Sequence, residues 1–159
     1  MILIGSFHLL KLPELTKLKN RIKKNEGYLS QIYLDQLGKQ TIGYGHLIKK
    51  SEKFLLKKKY SKQFLNSIFE NDFRLAINDF NKYYNSKKLH PNAHEVLIEM
   101  IFQLGIKKTM KFKKFNHFLK QKLLFLAALE MLNSLWYAQT PKRVVWKKCR
   151  SGIKYIDLF

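Results

Sequence analysis

The segment Asn25–His46 constrains the fold most, because its hydrophobic pattern changes there from the period of a helix to that of paired strands. Before this segment, apolar residues recur at helical spacing, and Glu26 continues their stripe. Gly27 follows as a natural helix end. The apolar positions are Leu15, Leu18 and Ile22. The sequence therefore predicts a helix from Pro13 to about Asn25, with Glu26 at its C-terminal end.

Two short stretches after this helix have the composition of strands. Gln31–Asp35 and Gln40–Tyr44 carry β-branched and aromatic residues on either side of Gly38. This pattern predicts a β-hairpin. Gly43 and Gly45 lie close together, which predicts that the backbone bends there or is approached closely by another group.

The remainder of the chain is predicted to be helical after a lysine-dense connection over 49–59. The predicted helices are a long amphipathic one with Ser61 as N-cap, Ala93–Leu104 ended by Gly105 after an interruption at Pro91, about Lys113–Leu119, about Phe125–Tyr137, and a last one opened by Thr140-Pro141. We expect an α+β fold in one domain over 1–159. A small lobe (1–60), a connecting helix (61–84) and a helical lobe (85–159) would compose it.

The net charge of +20 is the strongest bulk signal. It predicts attraction to an anionic partner such as a wall polymer, a membrane surface or nucleic acid. Lysines spread along helices, beside many Asn, Ile, Phe and Tyr, are also typical of A/T-rich coding bias. Specific nucleic-acid readout favours arginine, so a specific nucleic-acid partner is disfavoured. The arginines are Arg21, Arg74, Arg143 and Arg150.

The sequence offers little for metal or disulfide chemistry. Cys149 is the single cysteine, which excludes an internal disulfide and fits a reducing compartment. His90 and His94 stand four residues apart, but Pro91 between them favours solvated or loop histidines over zinc ligands. The apolar segment Met1–Leu12 lacks the basic start of a signal peptide and is too short to span a membrane. We expect it to pack on the fold, with a noncleaved export signal as the lesser alternative.

Glu26 and Asp35 form a candidate catalytic pair because their predicted surroundings differ. Glu26 lies on an apolar stripe at the negative end of a helix dipole, and both features favour a raised pKa and a carboxyl that can donate a proton. Asp35 lies at a strand end before a polar turn, where it is expected to be ionised and to orient water. Thr41, on the facing arm, can position that water. Two carboxylates in different settings are what glycosidic cleavage requires.

Each of these residues also has a purely structural interpretation. A glutamate that closes a basic helix is usually a surface ion-pair partner, and an aspartate before a turn is usually a turn residue. Threonine is ordinary in a strand. His46 is more often a hydrogen-bonded structural residue than a base. Spacing alone therefore leaves a basic helical protein of another role open.

Two sets of motifs decide between these interpretations. The first set runs Glu26-Gly27, Ile32-Tyr33-x-Asp35, Gly38 and Thr41-Ile42-Gly43-Tyr44-Gly45-His46-Leu47. The second set is Ile101-Phe102-Gln103-Leu104-Gly105 and Trp136-Tyr137-Ala138-Gln139-Thr140-Pro141. Together they resemble the bacteriophage lysozymes of the T-even kind, family 24 of the glycoside hydrolases. The resemblance runs from about Leu15 to the C-terminus.

This resemblance implies a two-lobed lysozyme that hydrolyses the β-1,4 bond between N-acetylmuramic acid and N-acetylglucosamine in peptidoglycan. It implies Glu26 as general acid and Asp35, with Thr41, as the group that orients the attacking water. It implies substrate contacts by Leu47, Phe102, Phe115 and Glu130, and support of the cleft by His46, Gln103 and Trp136. The family is similar to inverting enzymes, which implies carboxyl groups farther apart than the ~5–5.5 Å of retaining enzymes. No cofactor or metal is implied.

The biological setting implied is that of a monomeric phage endolysin, held in the host cytoplasm until lysis releases it to the periplasm and wall. Its charge would aid adsorption to the anionic cell surface. Departures from the family pattern include a shorter link between His46 and Ser61 and apolar residues, Leu37 and Leu135, in place of an acid–base pair. Phe115 and Glu130 stand where family cleft positions are polar. A core role for Phe102 and Trp136 is an equal alternative.

Three other functions remain open at this stage. The protein could hold peptidoglycan without cutting it, although intact Glu26, Asp35 and Thr41 argue against this. It could be a basic nucleic-acid binder. It could also be a lytic transglycosylase that uses Glu26 alone, whose product would carry an anhydro-muramic end.

Overall fold

The computed structural model describes residues 12–35 and 37–134, which combine helices with one small sheet. The elements in chain order are α1 (Leu12–Glu26), β1 (Leu29–Leu34), β2 (Gln40–Gly43), β3 (His46–Leu47), α2 (Lys62–Tyr83), a 3₁₀ helix (Ser86–Lys88), α3 (Pro91–Leu104), α4 (Ile106–Met110), α5 (Lys113–Lys120) and α6 (Leu124–Leu132). The predicted α+β class is confirmed. No helix in these two ranges is both long and apolar enough to cross a membrane.

The sheet is antiparallel in the order β1-β2-β3, so the predicted hairpin is confirmed and a third strand is added. Tyr33 pairs with Thr41, and Thr41 pairs with Leu47 on its other side. β3 has two residues, too few to show an alternating pattern in the sequence. It forms because Gly43 and Gly45 take φ values of +66° and +82°, which turn the chain back onto β2.

The long helix α2 packs against both β2 and α3 and so lies between the sheet and the other helices. It begins as predicted: the Ser61 hydroxyl accepts a hydrogen bond from the backbone N–H of Phe64 at 3.2 Å. One face of the helix is buried, and its buried residues are Leu65, Phe69, Phe73, Ala76 and Phe80. Because this stripe contributes to the main core, α2 fixes the sheet relative to the helical part of the protein.

The main core lies among α1, α2, α3, α5 and α6. Leu97 and Met100 of α3 are fully buried, and Phe115 of α5 is 2% exposed. Burial of each such side chain stabilises the fold by roughly 1.5–3 kcal/mol. Phe115 therefore has a packing role.

Four details differ from the sequence-based predictions. His94 is neither solvated nor in a loop: it is 6% exposed within α3, and its Nε2 donates to the carbonyl of Ser86 at 3.0 Å. The helix predicted to start at Ala93 starts at Pro91 instead, since Pro91 occupies the first turn of α3 and His90 is its N-cap. The short helix α4 was not predicted. α6 ends at Leu132, before the predicted end at Tyr137. The predictions for Met1–Lys11 and for Thr140-Pro141 lie outside the described residues.

Candidate active site

Glu26 is the last residue of α1, where Gly27 at φ +75° ends the helix. Its carboxylate packs against the backbone of Gly45 in the turn between β2 and β3. A Cβ atom placed on Gly45 would lie 3.1 Å from Oε2 of Glu26. Glycine at this position therefore allows the close approach, and the prediction of a bent and closely approached backbone there is confirmed.

Asp35 follows β1 and organises the hairpin turn. Its Oδ1 accepts hydrogen bonds from the backbone N–H groups of Leu37 and Lys39, both at 2.8 Å. Oδ2 makes no hydrogen bond to the residues that the structure describes. The turn interpretation of Asp35 is therefore correct, and it is compatible with chemistry, because one oxygen orients the carboxylate while the other can face water.

Tyr33 links the two carboxylates electrostatically. Burial of its phenol is the main cause that raises its pKa, and the negative charges of Glu26 and Asp35 raise it further. Both carboxylates therefore act on one side chain of β1. The assignment of Glu26 and Asp35 as a catalytic pair stays a prediction.

Thr41 lies opposite Tyr33 in the sheet and is 4% exposed. Its hydroxyl donates to the carbonyl of Lys39 at 3.1 Å, and the N–H of Lys39 donates to Asp35. The backbone of Lys39 thus couples Thr41 to Asp35. The hydroxyl oxygen of Thr41 still has acceptor capacity for a water or a sugar hydroxyl.

A cavity of about 250 Å³ lies between the sheet and the helices. Four predicted residues line it: His46, Leu47, Phe102 and Gln103. Gly45, which contacts Glu26, lines it as well, whereas the three predicted catalytic residues do not. Other lining residues include Asp72, Asp79 and Ile101. The cavity is slightly smaller than typical ligand sites, and Gly45 in its wall contacts Glu26.

The other predicted site residues lie in different parts of the structure. Phe102 is half-buried and packs on Phe69 with ring centroids 5.3 Å apart, so it combines a core contact with a place in the cavity wall. Phe115 is buried in the core and offers no surface to a saccharide, so the prediction of a substrate contact by Phe115 is wrong. Glu130 lies on α6 with its carboxylate 4.0 Å from Lys114 and does not line the cavity. Trp136 lies outside the described residues.

A polar network that the sequence did not predict joins α1 to α3, and we call it the Arg21 network (Arg21, Asn25, Glu95 and Glu99). Arg21 donates to Glu99 at 3.1 Å and to Glu95 at 2.9 Å, and Asn25 donates to the second oxygen of Glu99 at 3.1 Å. The side chain of Glu99 is 4% exposed. Asn25 precedes Glu26, so this network holds the helix end that carries the candidate acid.

A second network, the His46 network (His46, Glu52 and Asp72), joins β3 to α2 and to the connection between them. His46 Nδ1 lies 2.7 Å from Asp72, and Nε2 lies 3.1 Å from Glu52. The hydrogen bond to Asp72 raises the pKa of His46 above 6.5, against the lowering effect of burial, and Glu52 adds to the rise. Burial raises the pKa of Glu52, but its bonds to the Lys49 N–H and to His46 outweigh this and lower the pKa overall. His46 is thus a structural residue of the cleft, as its simpler interpretation held.

The residues that the structure describes contain no cluster of three potential metal ligands. Glu26, Asp35 and Thr41 supply two carboxylates and a hydroxyl group. Such a set can protonate a leaving group and orient water.

Comparison with known proteins shows the family of the chain. The sequence model of the phage lysozyme family matches residues 23–145, a range that contains the carboxylate pair and the cavity wall. The chain is 34% identical to "Probable T4-type lysozyme 2" of Dictyostelium discoideum, in an alignment covering 80% of this chain and 89% of that protein. It is 28% identical to "Probable T4-type lysozyme 1" of the same organism, with the same coverage. The chain belongs to the phage lysozyme family and is a lysozyme-type hydrolase. Peptidoglycan is the substrate that this family implies.

Proposed function

We propose that this protein is a muramidase that hydrolyses the β-1,4 bond between N-acetylmuramic acid and N-acetylglucosamine, with Glu26 as general acid. The observation that carries the proposal is the contact of Glu26 with Gly45, since Gly45 also forms part of the cavity wall. The negative charges of Glu26 and Asp35 both raise the pKa of Tyr33, which supports a shared location near that side chain.

In this mechanism the two acids have separate tasks. Glu26 gives a proton to the glycosidic oxygen as the bond to the anomeric carbon breaks. Asp35, oriented by two backbone N–H groups, accepts a proton from a water that attacks the opposite face of the sugar, and Thr41 helps to hold that water. Family similarity favours inversion of configuration, which proton NMR of the first-formed anomer would test.

The first prediction concerns the general acid. Glu26→Gln keeps the shape of the side chain but cannot donate a proton of comparable acidity, so we expect lytic activity to fall by roughly 10²–10⁴-fold. The measurement is the fall in turbidity of chloroform-treated Gram-negative cells. Glu70→Gln is the matched control, because Glu70 is an exposed carboxylate paired with Lys19 away from the cavity. Wild-type lysis by Glu26→Gln would contradict the proposal.

The products separate this proposal from its rivals. Hydrolysis leaves a reducing muramic end, whereas a transglycosylase leaves an anhydro-muramic end that mass spectrometry resolves. A peptidoglycan-binding module would sediment with walls and release no fragments. A nucleic-acid binder would bind DNA with a steep salt dependence and release no fragments either.

We also propose the biological role of an endolysin that acts as a monomer, stays in the host cytoplasm until lysis and adsorbs to the anionic cell surface. The family description supports the phage role, although both relatives named above come from Dictyostelium discoideum. Expression in a Gram-negative host tests it: we expect lysis only after the inner membrane is permeabilised. Lysis without permeabilisation would contradict cytoplasmic retention, and a sedimentation mass of two chains would contradict the monomer.

A further inference from the structure

The connection between β3 and α2 presents two adjacent leucines to solvent. Leu55 is 62% exposed and Leu56 is 69% exposed. A hydrogen bond from the Lys58 N–H to the Leu55 carbonyl, at 3.4 Å, closes a turn around them. Lys57 takes φ +62° in this turn, a conformation that costs energy for a residue with a side chain. We call residues 55–58 the Leu55–Leu56 turn.

The exposure of these leucines follows from a packed framework beneath the turn. Phe54, Tyr60 and Phe64 form a small aromatic cluster with centroid distances of 5.3–6.3 Å. The Tyr60 hydroxyl accepts a hydrogen bond from the Leu55 N–H at 2.8 Å. Phe54 therefore points inward, and the next two residues are left outside on a defined support.

The base of the turn is tied to the sheet as well. The side-chain amide of Gln31 donates to the carbonyl of Lys57 at 2.7 Å, and the Tyr60 N–H donates to the carbonyl of Ser30 at 2.9 Å. Four polar contacts thus hold an apolar tip in the solvent. Exposure of two leucines to water is unfavourable in the unbound protein, and their burial against an apolar partner is favourable.

The surroundings of the turn are strongly basic. Residues 49–62 contain seven lysines against one acid, Glu52, and Glu52 already pairs with His46. All seven lysines are exposed: Lys49, Lys50, Lys53, Lys57, Lys58, Lys59 and Lys62. An exposed leucine pair in a lysine-rich segment is complementary to a surface that has an apolar interior and anionic headgroups.

We infer that the Leu55–Leu56 turn is a contact site for membranes rich in anionic phospholipid. The leucines enter the acyl boundary while the surrounding lysines lie at the phosphates. A purely polar polyanion, such as nucleic acid or an acidic wall polymer, would use the lysines but leave the leucines in water. No arginine lies between Ile22 and Phe73, so the planar group suited to stacking and bidentate phosphate contacts is missing from this surface.

The test is co-sedimentation of the full chain with vesicles of equal parts phosphatidylglycerol and phosphatidylcholine. We expect wild-type protein to bind these vesicles and to stay in solution with pure phosphatidylcholine. The double variant Leu55→Ser/Leu56→Ser should bind roughly tenfold or more weakly, because two buried leucines are lost. Its activity on soluble peptidoglycan fragments should be unchanged, since neither leucine lines the cavity.

A matched control distinguishes this site from general stickiness. Leu123 and Leu126 are 46% and 37% exposed in the helical part of the protein, and Leu123 follows Lys122. We expect Leu123→Ser/Leu126→Ser to bind anionic vesicles as wild type does. Equal loss in the two double variants, or no loss in the Leu55/Leu56 variant, would overturn the assignment.

A second measurement reads insertion directly and does not depend on loss of binding. In Leu56→Trp, tryptophan emission should shift to shorter wavelength on addition of anionic vesicles by more than in wild type, which carries Trp136 and Trp146. Leu126→Trp should show no extra shift. Binding to DNA that is insensitive to both leucines, without an emission shift on vesicles, would instead identify a polyanion surface. Because these readouts do not require cell-wall cleavage, their failure and the failure of the muramidase proposal are distinguishable.

Discussion

The Arg21 network and the His46 network both lie near Glu26 and are built from different cations. The first reaches Glu26 through its neighbour Asn25, and the second reaches it through His46, the neighbour of Gly45. Arginine stays charged across the ordinary pH range, whereas a histidine loses its charge as pH rises through its folded-state pKa, which for His46 lies above 6.5. One support of the candidate acid is therefore permanent and the other is titratable.

The largest effect is expected from Arg21→Met. Arg21 is the cation that bonds both Glu95 and Glu99, and its side chain is 13% exposed. Its removal takes a cationic hydrogen-bond partner from two buried carboxylates, so we expect the free energy of unfolding to fall by roughly 3–5 kcal/mol. Urea denaturation measures it. The control Lys19→Met, which loses the partly exposed pair with Glu70, should cost no more than about 1 kcal/mol.

A compensated variant sharpens the meaning of that result. Arg21→Met/Glu95→Leu/Glu99→Leu removes Arg21 together with the two carboxylates that it binds, so we expect most of the stability to return. If the network also positions Glu26, kcat for lysis stays low in this variant although the protein is stable. Recovery of both the free energy of unfolding and kcat would show that the Arg21 network only holds α1 against α3 and does not position Glu26.

The next effect in size is that of His46→Gln, and it depends on pH. The raised pKa of His46 means that its ion pairs stabilise the folded state fully below pH 6.5 and lose their effect as pH rises through the folded-state value. We expect a loss of roughly 1.5 kcal/mol at about pH 5.5 and a clearly smaller loss at about pH 8.5. Urea denaturation at both pH values measures the difference.

Asp72→Asn provides the check, because the hydrogen bond to Asp72 is the main cause of the raised pKa. The two substitutions should be strongly non-additive in a double-mutant cycle. A loss in His46→Gln that is the same at both pH values would show that His46 acts through packing alone. Arg21→Met, by contrast, should lower the free energy of unfolding by the same amount at both pH values.

The sequence predicted local structure well and tertiary networks poorly. α1, the hairpin, the Ser61 cap and the end of α3 at Gly105 follow from signals within a few residues, and the structure has them. Phe115 was misassigned because an aromatic residue has the same helical spacing whether it faces a core or a cleft. The Arg21 network escaped notice because its members are 74 and 78 residues apart, and nothing local marks a glutamate in an apolar helix as the partner of a distant arginine.

The same reasoning explains why Glu26 and Asp35 could be found as a pair. Both belong to one continuous segment whose elements are joined by short turns, so sequence proximity implies proximity in space. The cavity wall formed by Phe102 and Gln103 was reached only through family resemblance, because it comes from a distant helix. The strain of Lys57 and the exposure of the leucines beside it had no sequence signal, since both depend on Phe54 taking the inward position.

The smallest effect is expected from Glu52→Gln, and it ranks the two acids of the His46 network. Glu52 is 31% exposed and lies farther from the imidazole than Asp72 does. Glutamine can still accept the hydrogen bond from the Lys49 N–H, so only the charge is lost. We expect a loss of about 0.5 kcal/mol or less at about pH 5.5, measured by urea denaturation beside Asp72→Asn. The pKa of Glu52 is lowered below 4.5 in the folded state. Its contribution to the free energy of unfolding should therefore be complete above pH 4.5 and be lost as pH falls from there through the folded-state pKa. A loss as large as that of Asp72→Asn would mean that the more exposed acid supports His46 as strongly as the less exposed one. The connection carrying Glu52 would then be as firmly tied to the cleft as α2 is.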